Sequence, residues 1–137
     1  MKLVTRAVLV TPTNGILLGR RVRNDEVGKL AFIGGKPEEE ETPRDAIVRE
    51  VFEETGASIS PTFWFHEEDT TSDPGSLWQV HYFLARVNKG DLKKIKPDEL
   101  SEIVEVTSHD FESYDITFGH KDKIRKVYQE NIIATLL

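Results

Sequence analysis

Leu3 to Val10 runs through β-branched and aliphatic residues and ends at the turn residues Pro12, Asn14 and Gly15. This pattern predicts a buried strand. It resumes from Ile16 to Arg21 as a second strand, on which Arg20 and Arg21 point to opposite faces, so at most one reaches a pocket. Residues 22–29 form a polar loop, and the apolar run Leu30 to Ile33 leads into Gly34-Gly35, a pair that permits a turn other residues resist. From Ala46 to Thr55, the residues Ile47, Val48, Val51 and Phe52 recur at helical spacings, which predicts an amphipathic helix with these four on its buried arc. Its ends are marked by Thr42 as N-cap, Pro43 in the first position, Asp45 as a variant capping-box partner and Gly56 just past the end.

Thr62 to His66 reads as a strand, residues 67–75 as a loop, and Leu77 to Val87 as the longest strand, alternating Trp78, Val80, Tyr82 and Leu84 with Gln79, His81, Phe83 and Ala85. Trp78, Tyr82 and Phe83 are candidates for stacking on a base or for core packing, and His81 reads as a hydrogen-bonded strand histidine. Lys89 to Pro97 is a basic loop, and Asp98, Glu99, Glu102 and Glu105 surround the apolar run Ile103 to Val106. Residues 107–119 are irregular, with a short turn at Ser108 to Phe111. From His120 onward, Ile124, Val127, Tyr128, Asn131 and Ile132 carry the spacing of a terminal helix that packs on the sheet. The order of elements predicts an α/β fold, a mixed sheet between helices.

Composition narrows the picture. The 137 residues, 38% hydrophobic and 31% charged, fit one domain spanning 1–137. Cys is absent, which excludes disulfides, thiolate zinc sites and a cysteine nucleophile. No apolar run approaches membrane-spanning length, so a cytoplasmic protein without a membrane partner is expected. The net charge of −6 disfavours a grip on duplex nucleic acid, and phosphates must be met locally by metal and a few cations. Oligomeric state is not legible.

The candidate chemistry lies on the first helix, where Glu50, Glu53 and Glu54 share an arc adjoining the apolar one. Like charges at these spacings repel, and Arg49 can pair with Asp45 and Glu53 without neutralising them all. A hard divalent ion such as Mg²⁺ would; a solvated acidic face is the alternative. Gly35, five residues, Glu41, seven residues, then Arg49-Glu50-Val51-Phe52-Glu53-Glu54-Thr55-Gly56 resembles the signature of the Nudix hydrolases. Ala57 and Ile33 depart from the usual pattern at packing and loop positions, and neither replaces a carboxylate.

The resemblance implies an α/β/α Nudix sandwich with a mixed sheet between helices. It also implies Mg²⁺, or Mn²⁺, held by Glu50, Glu53, Glu54 and the Gly34 carbonyl, with a further carboxylate from Glu102 or, alternatively, Glu99. Glu53 is the first candidate for general base and Glu54 the next, while Glu41 and Arg49 keep loop and helix in register. Arg21 and Lys36 are candidates for meeting substrate, each with the alternative of an ordinary solvated cation. The implied reaction is metal-dependent cleavage of a diphosphate linkage in a nucleoside diphosphate derivative, foremost a nucleoside triphosphate to monophosphate and pyrophosphate. Hydrolysis of ADP-ribose, nucleotide sugars or dinucleoside polyphosphates is an alternative, as is a non-catalytic nucleotide-binding module. Pro74 lies one place beyond a spacing associated with ADP-ribose and nucleotide-sugar hydrolases.

Overall fold

The computed structural model describes residues 2–69, 77–93 and 95–136. Its strands are β1 (Lys2–Val10), β2 (Ile16–Arg21), β3 (Leu30–Ala31), β4 (Ile33–Gly35), β5 (Thr62–Asp69), β6 (Trp78–Arg86) and β7 (Leu100–Val106); its helices are α1 (Pro43–Thr55) and α2 (His120–Gln129). The seven strands form one mixed sheet. β1 is its hub, running parallel to β6 from Lys2↔Trp78 to Val10↔Arg86. The other edge of β1 is shared between β2, antiparallel at Leu9 and Val10, and β4, antiparallel at Thr5 to Ala7.

Strand alternation sorts the core into two layers. Ala7, Leu9, Ile33, Phe83 and Ala85 pack with Ile47 and Val51 of α1. Val4, Val8, Leu18, Tyr82 and Leu84 pack with Ile124 and Val127 of α2. The α/β/α arrangement follows, because both sheet faces are apolar and each must be covered.

Several boundaries differ from the sequence reading. The apolar run Leu30 to Ile33 is two short strands with different partners, β3 on β2 and β4 on β1. β5 continues through Glu67 and Glu68 to Asp69, where a loop was expected, because its register with β6 extends to Trp78. Residues 70–76, which take in the rest of that expected loop, with Pro74, lie outside the described residues. Lys89–Asp91 forms a 3₁₀ turn inside the expected basic loop. The terminal helix stops at Gln129: Asn131 adopts a left-handed conformation (φ 52°), and Ile132 belongs to a following 3₁₀ turn.

Helix α1 begins and ends at the residues expected of it. The Thr42 hydroxyl accepts from the Asp45 amide at 3.1 Å, Pro43 opens the helix, and Gly56, at φ 81°, donates its amide to the Phe52 carbonyl. The buried face is shifted from the expected one: it carries Ala46, Ile47, Val51, Glu54 and Thr55, whereas Phe52 is 50% exposed. Positions 47, 51 and 54 follow the four-then-three step of a helix stripe, and Phe52 lies about 100° away from Val51.

Candidate active site

Arg49 organises the outer side of α1. Its Nε and Nη2 donate to the two oxygens of Glu41 at 2.8 and 2.9 Å, and Nη2 also reaches the Lys36 carbonyl at 3.2 Å. This forked contact holds the Glu41 carboxyl down at about 2 and clamps the loop before the helix onto the helix itself. From the same side chain, Nη1 donates to Glu50 at 3.0 Å and Glu53 at 3.1 Å. Through these contacts Arg49 ties Glu41 and the Lys36 carbonyl of the loop to the helix.

Glu54 is the exception in this network. Only 5% exposed, it has an Oε2 without a hydrogen-bond partner. Burial pushes its carboxyl up to about 8, and the neighbouring charges of Glu50 and Glu99 push the same way. Burial likewise raises Glu50. Two carboxylates held against their ionisation, one with an orphaned oxygen, form a donor set that a cation would satisfy. The three helix carboxylates are not gathered: Arg49 stands between Glu50 and Glu53, and among the described residues no three His, Asp or Glu side chains are close enough to hold an ion as they stand.

The two glycines before the helix are required by close approach. A β-carbon on Gly35 would lie 2.5 Å from the Glu50 carboxyl carbon, and one on Gly34 would lie 2.0 Å from the Thr5 carbonyl oxygen. The Thr5 hydroxyl also donates to the Gly35 carbonyl at 2.9 Å. Glu102, the first choice for a further carboxylate, is elsewhere: 52% exposed, it accepts from Arg20 Nε at 2.6 Å. Glu99 takes the nearer place, its charge acting on both Glu50 and Glu54 while it pairs with Arg23. The strand opens at Leu100 rather than Ile103, and this leaves Glu99 at its entrance.

Beside this site, on the α2 face, is a cavity of about 190 Å³. Its walls include Trp78, Tyr82 and Phe118, with Arg6, Arg21 and Lys36 as cations and Asp25 and Asp69 as carboxylates. Lys36 Nζ lies 4.9 Å from the Trp78 ring, so one residue joins the cavity to the Arg49 clamp through its side chain and its carbonyl. Arg21 lines the cavity, held by Asp25 at 3.0 Å and lying 4.7 Å from the Phe118 ring. Phe118 itself has φ 61°, a conformation rare for a bulky residue and concentrated at ligand sites. His120 closes the floor, its Nδ1 accepting from the Phe32 amide at 3.0 Å and its ring stacked on Phe32. Of the other candidates, Phe83 faces the α1 layer, and His81 bonds to Gln79 at 2.7 Å.

Sequence reasoning missed Arg6, Phe118 and His120. Arg6 had a signal: it occupies the phase of Val4, Val8 and Val10 on β1, so a charge faces inward in an otherwise apolar row.

No helix among the described residues is long and apolar enough to cross a membrane. The fold resembles that of a MutT Nudix hydrolase from Burkholderia pseudomallei, at 24% identity over 92% of this chain and 97% of that one, with a TM-score of 0.79. A MutT protein from Methanosarcina mazei Go1 aligns at 22% identity over 95% and 94%, with a TM-score of 0.80. The Nudix domain of Shewanella oneidensis NrtR, solved with ADP ribose, aligns at 18% over 95% and 88%, with a TM-score of 0.82. At these identities the likeness speaks for the fold. The sequence profile of the NUDIX domain matches residues 1–129, so the chain, with Gly35, Glu41, Arg49, Glu50, Glu53, Glu54 and Gly56 all in place, belongs to the Nudix family.

Proposed function

We propose that this Nudix hydrolase uses Mg²⁺, or Mn²⁺, to cleave a diphosphate linkage in a nucleoside diphosphate derivative, foremost a nucleoside triphosphate to its monophosphate and pyrophosphate. The observation that carries the reading is the buried, unpartnered oxygen of Glu54 beside Glu50 and Glu99. Glu50, Glu53, Glu54 and the Gly34 carbonyl would hold the ion, with Glu99 in the place first given to Glu102. When bound, such an ion neutralises diphosphate oxygens and lowers the pKa of a water. Glu53, the most exposed of the three helix carboxylates, accepts the proton of the attacking water, with Glu54 the next candidate for that role. Lys36 and Arg21 meet phosphate oxygens from the cavity side, and Arg49 keeps Glu50 and Glu53 aligned with the loop.

The test is hydrolysis by the purified protein of nucleoside triphosphates, ADP-ribose, nucleotide sugars, dinucleoside polyphosphates and capped RNA, with and without chelator. Activity that disappears with chelator and returns with Mg²⁺ or Mn²⁺ is expected; chelator-resistant hydrolysis would sink the metal role. The likeness to the ADP-ribose complex of NrtR supports a second reading, a nucleotide-binding module. Saturable nucleotide binding with no turnover across the panel would select it.

A further inference from the structure

Arg6 lies on β1 between Gly34 of β4 and Tyr82 of β6, with its side chain in the wall of the cavity. Its guanidinium is 5.5 Å from the Phe118 ring, and the charges of Glu54 and Asp25 act on it without contact. Among the described residues it makes no hydrogen bond or ion pair. A guanidinium offers five N–H donors and no acceptor, and Arg6 is half-buried in the cavity wall beside Trp78, whose Nε1 is buried without a partner, so an acceptor entering the cavity meets unengaged donors there. The carboxylate of Asp25 is already engaged by Arg21, and the Tyr82 hydroxyl is occupied as a donor to Glu67.

The surroundings indicate what that acceptor belongs to. Trp78, Phe118, Tyr82, Val4 and Val80 make the walls largely aromatic and aliphatic, which suits a flat ring. Asp25 and Asp69 in the same wall offset part of the charge of Arg6, Arg21 and Lys36. A volume of about 190 Å³, below the roughly 300–1,000 Å³ of pockets that enclose whole drug-sized ligands, takes one ring system and leaves the phosphates outside, toward Lys36 and the carboxylates.

We infer that the cavity receives the base of the nucleotide and that Arg6 is a specificity-determining residue. It selects a purine edge with two adjacent acceptors, guanine O6 and N7, against adenine. The inference rests on the nucleotide reading above. Adenine places an amino group where guanine has O6, so a donor would face a donor. Adenosine derivatives, ADP-ribose among them, are disfavoured for that reason.

Binding of GMP and of AMP to the full chain, measured by calorimetry in chelator, tests this without turnover. GMP is expected to bind about 10- to 100-fold tighter, the range one bidentate base contact supports. Arg6→Gln, which can pair with adenine N6 and N7, should cancel or reverse the preference; Arg6→Lys, keeping charge but losing the fork, should lose most of it. Circular dichroism establishes that each variant is folded, and the unmutated protein decides the question even if one is not. Equal affinities, no saturable binding of either nucleotide, or equal weakening of both in a folded Arg6→Gln would overturn the inference, the last by assigning Arg6 to phosphate. A GMP preference in a protein that hydrolyses nothing in the Mg²⁺ panel supports the base site while ending the hydrolytic reading; turnover with equal GMP and AMP affinities does the reverse.

Discussion

The Glu50 carboxyl group rests on the α-carbon of Gly35, so closely that a β-carbon there would come within 2.6 Å of Oε1 and 2.7 Å of Oε2. The obstacle is the end of a flexible side chain, so Gly35→Ala should leave the melting temperature nearly unchanged and displace Glu50, with turnover falling at least tenfold. At the neighbouring position the obstacle is the Thr5 backbone, which cannot swing aside. Gly34→Ala should therefore weaken β1–β4 pairing and lower stability by about 1–3 kcal/mol, as overpacking does. Equal melting temperatures for the two variants would contradict this contrast.

Glu53→Gln preserves an oxygen that can accept from Arg49 Nη1 but removes the charge. Turnover should drop about 10²–10⁴-fold, the range for a general base, while thermal unfolding stays put. Near-normal turnover would pass the base to Glu54.

Ile47 is fully buried between α1 and the sheet, and Ile47→Ala should cost about 2–5 kcal/mol. Phe52→Ala, at a half-exposed position, should cost less than half as much despite removing more atoms. Denaturant titration of the two variants checks the order; the reverse order would mean that the helix is rotated.

His120 gives stability a pH dependence. Burial, with Arg6, Lys123 and Arg21 adding positive charge around it, lowers its pKa well below the usual histidine value. The fold therefore holds it neutral, and its contribution is complete above the unfolded value of about 6.5 and declines as pH falls below it. Glu54 works in the opposite sense, because its carboxyl titrates at about 8 in the fold and favours the native state as pH drops. The two partly cancel, so the useful quantity is a difference: relative to His120→Asn, whose amide oxygen can still accept from Phe32, the unmutated protein should lose stability between pH 6.5 and 5. Parallel curves would show that His120 does not titrate there.

Much of this site could be read from spacing alone. Glu50, Glu53 and Glu54 fall on one side of α1 because three- and four-residue steps are fixed by helix geometry, and Thr42, Pro43 and Gly56 mark the ends by local chemistry. Which side is buried depends on the sheet. Counting Phe52 as core and Glu54 as surface follows hydrophobicity, but Ile33, Ala7 and Leu17 pack against the stripe of Ile47 and Val51, and that stripe carries Glu54 inward with it. Glu99 and Glu102 are parted by the start of β7 at Leu100, which leaves Glu99 before the strand and Glu102 within it. Phe118 carried no signal, because its part in the cavity depends on a left-handed backbone within an irregular segment.

The parallel partnership of β1 and β6 has a consequence for biosynthesis. The strand bearing Arg6 leaves the ribosome long before residues 78–86 exist, and its two short antiparallel contacts, Leu9–Val10 on β2 and Thr5–Ala7 on β4, cover only one edge. Until β6 arrives, the other edge and the apolar row Val8-Leu9-Val10 stay open to pairing with other chains. Loop closure over such a separation is slow compared with local helix formation, so α1 can form while the sheet beneath it is unfinished. The cavity and the full carboxylate set draw on Phe118, His120 and Glu99 beyond β6 and are completed later still, so a nascent chain stalled before Trp78 has neither.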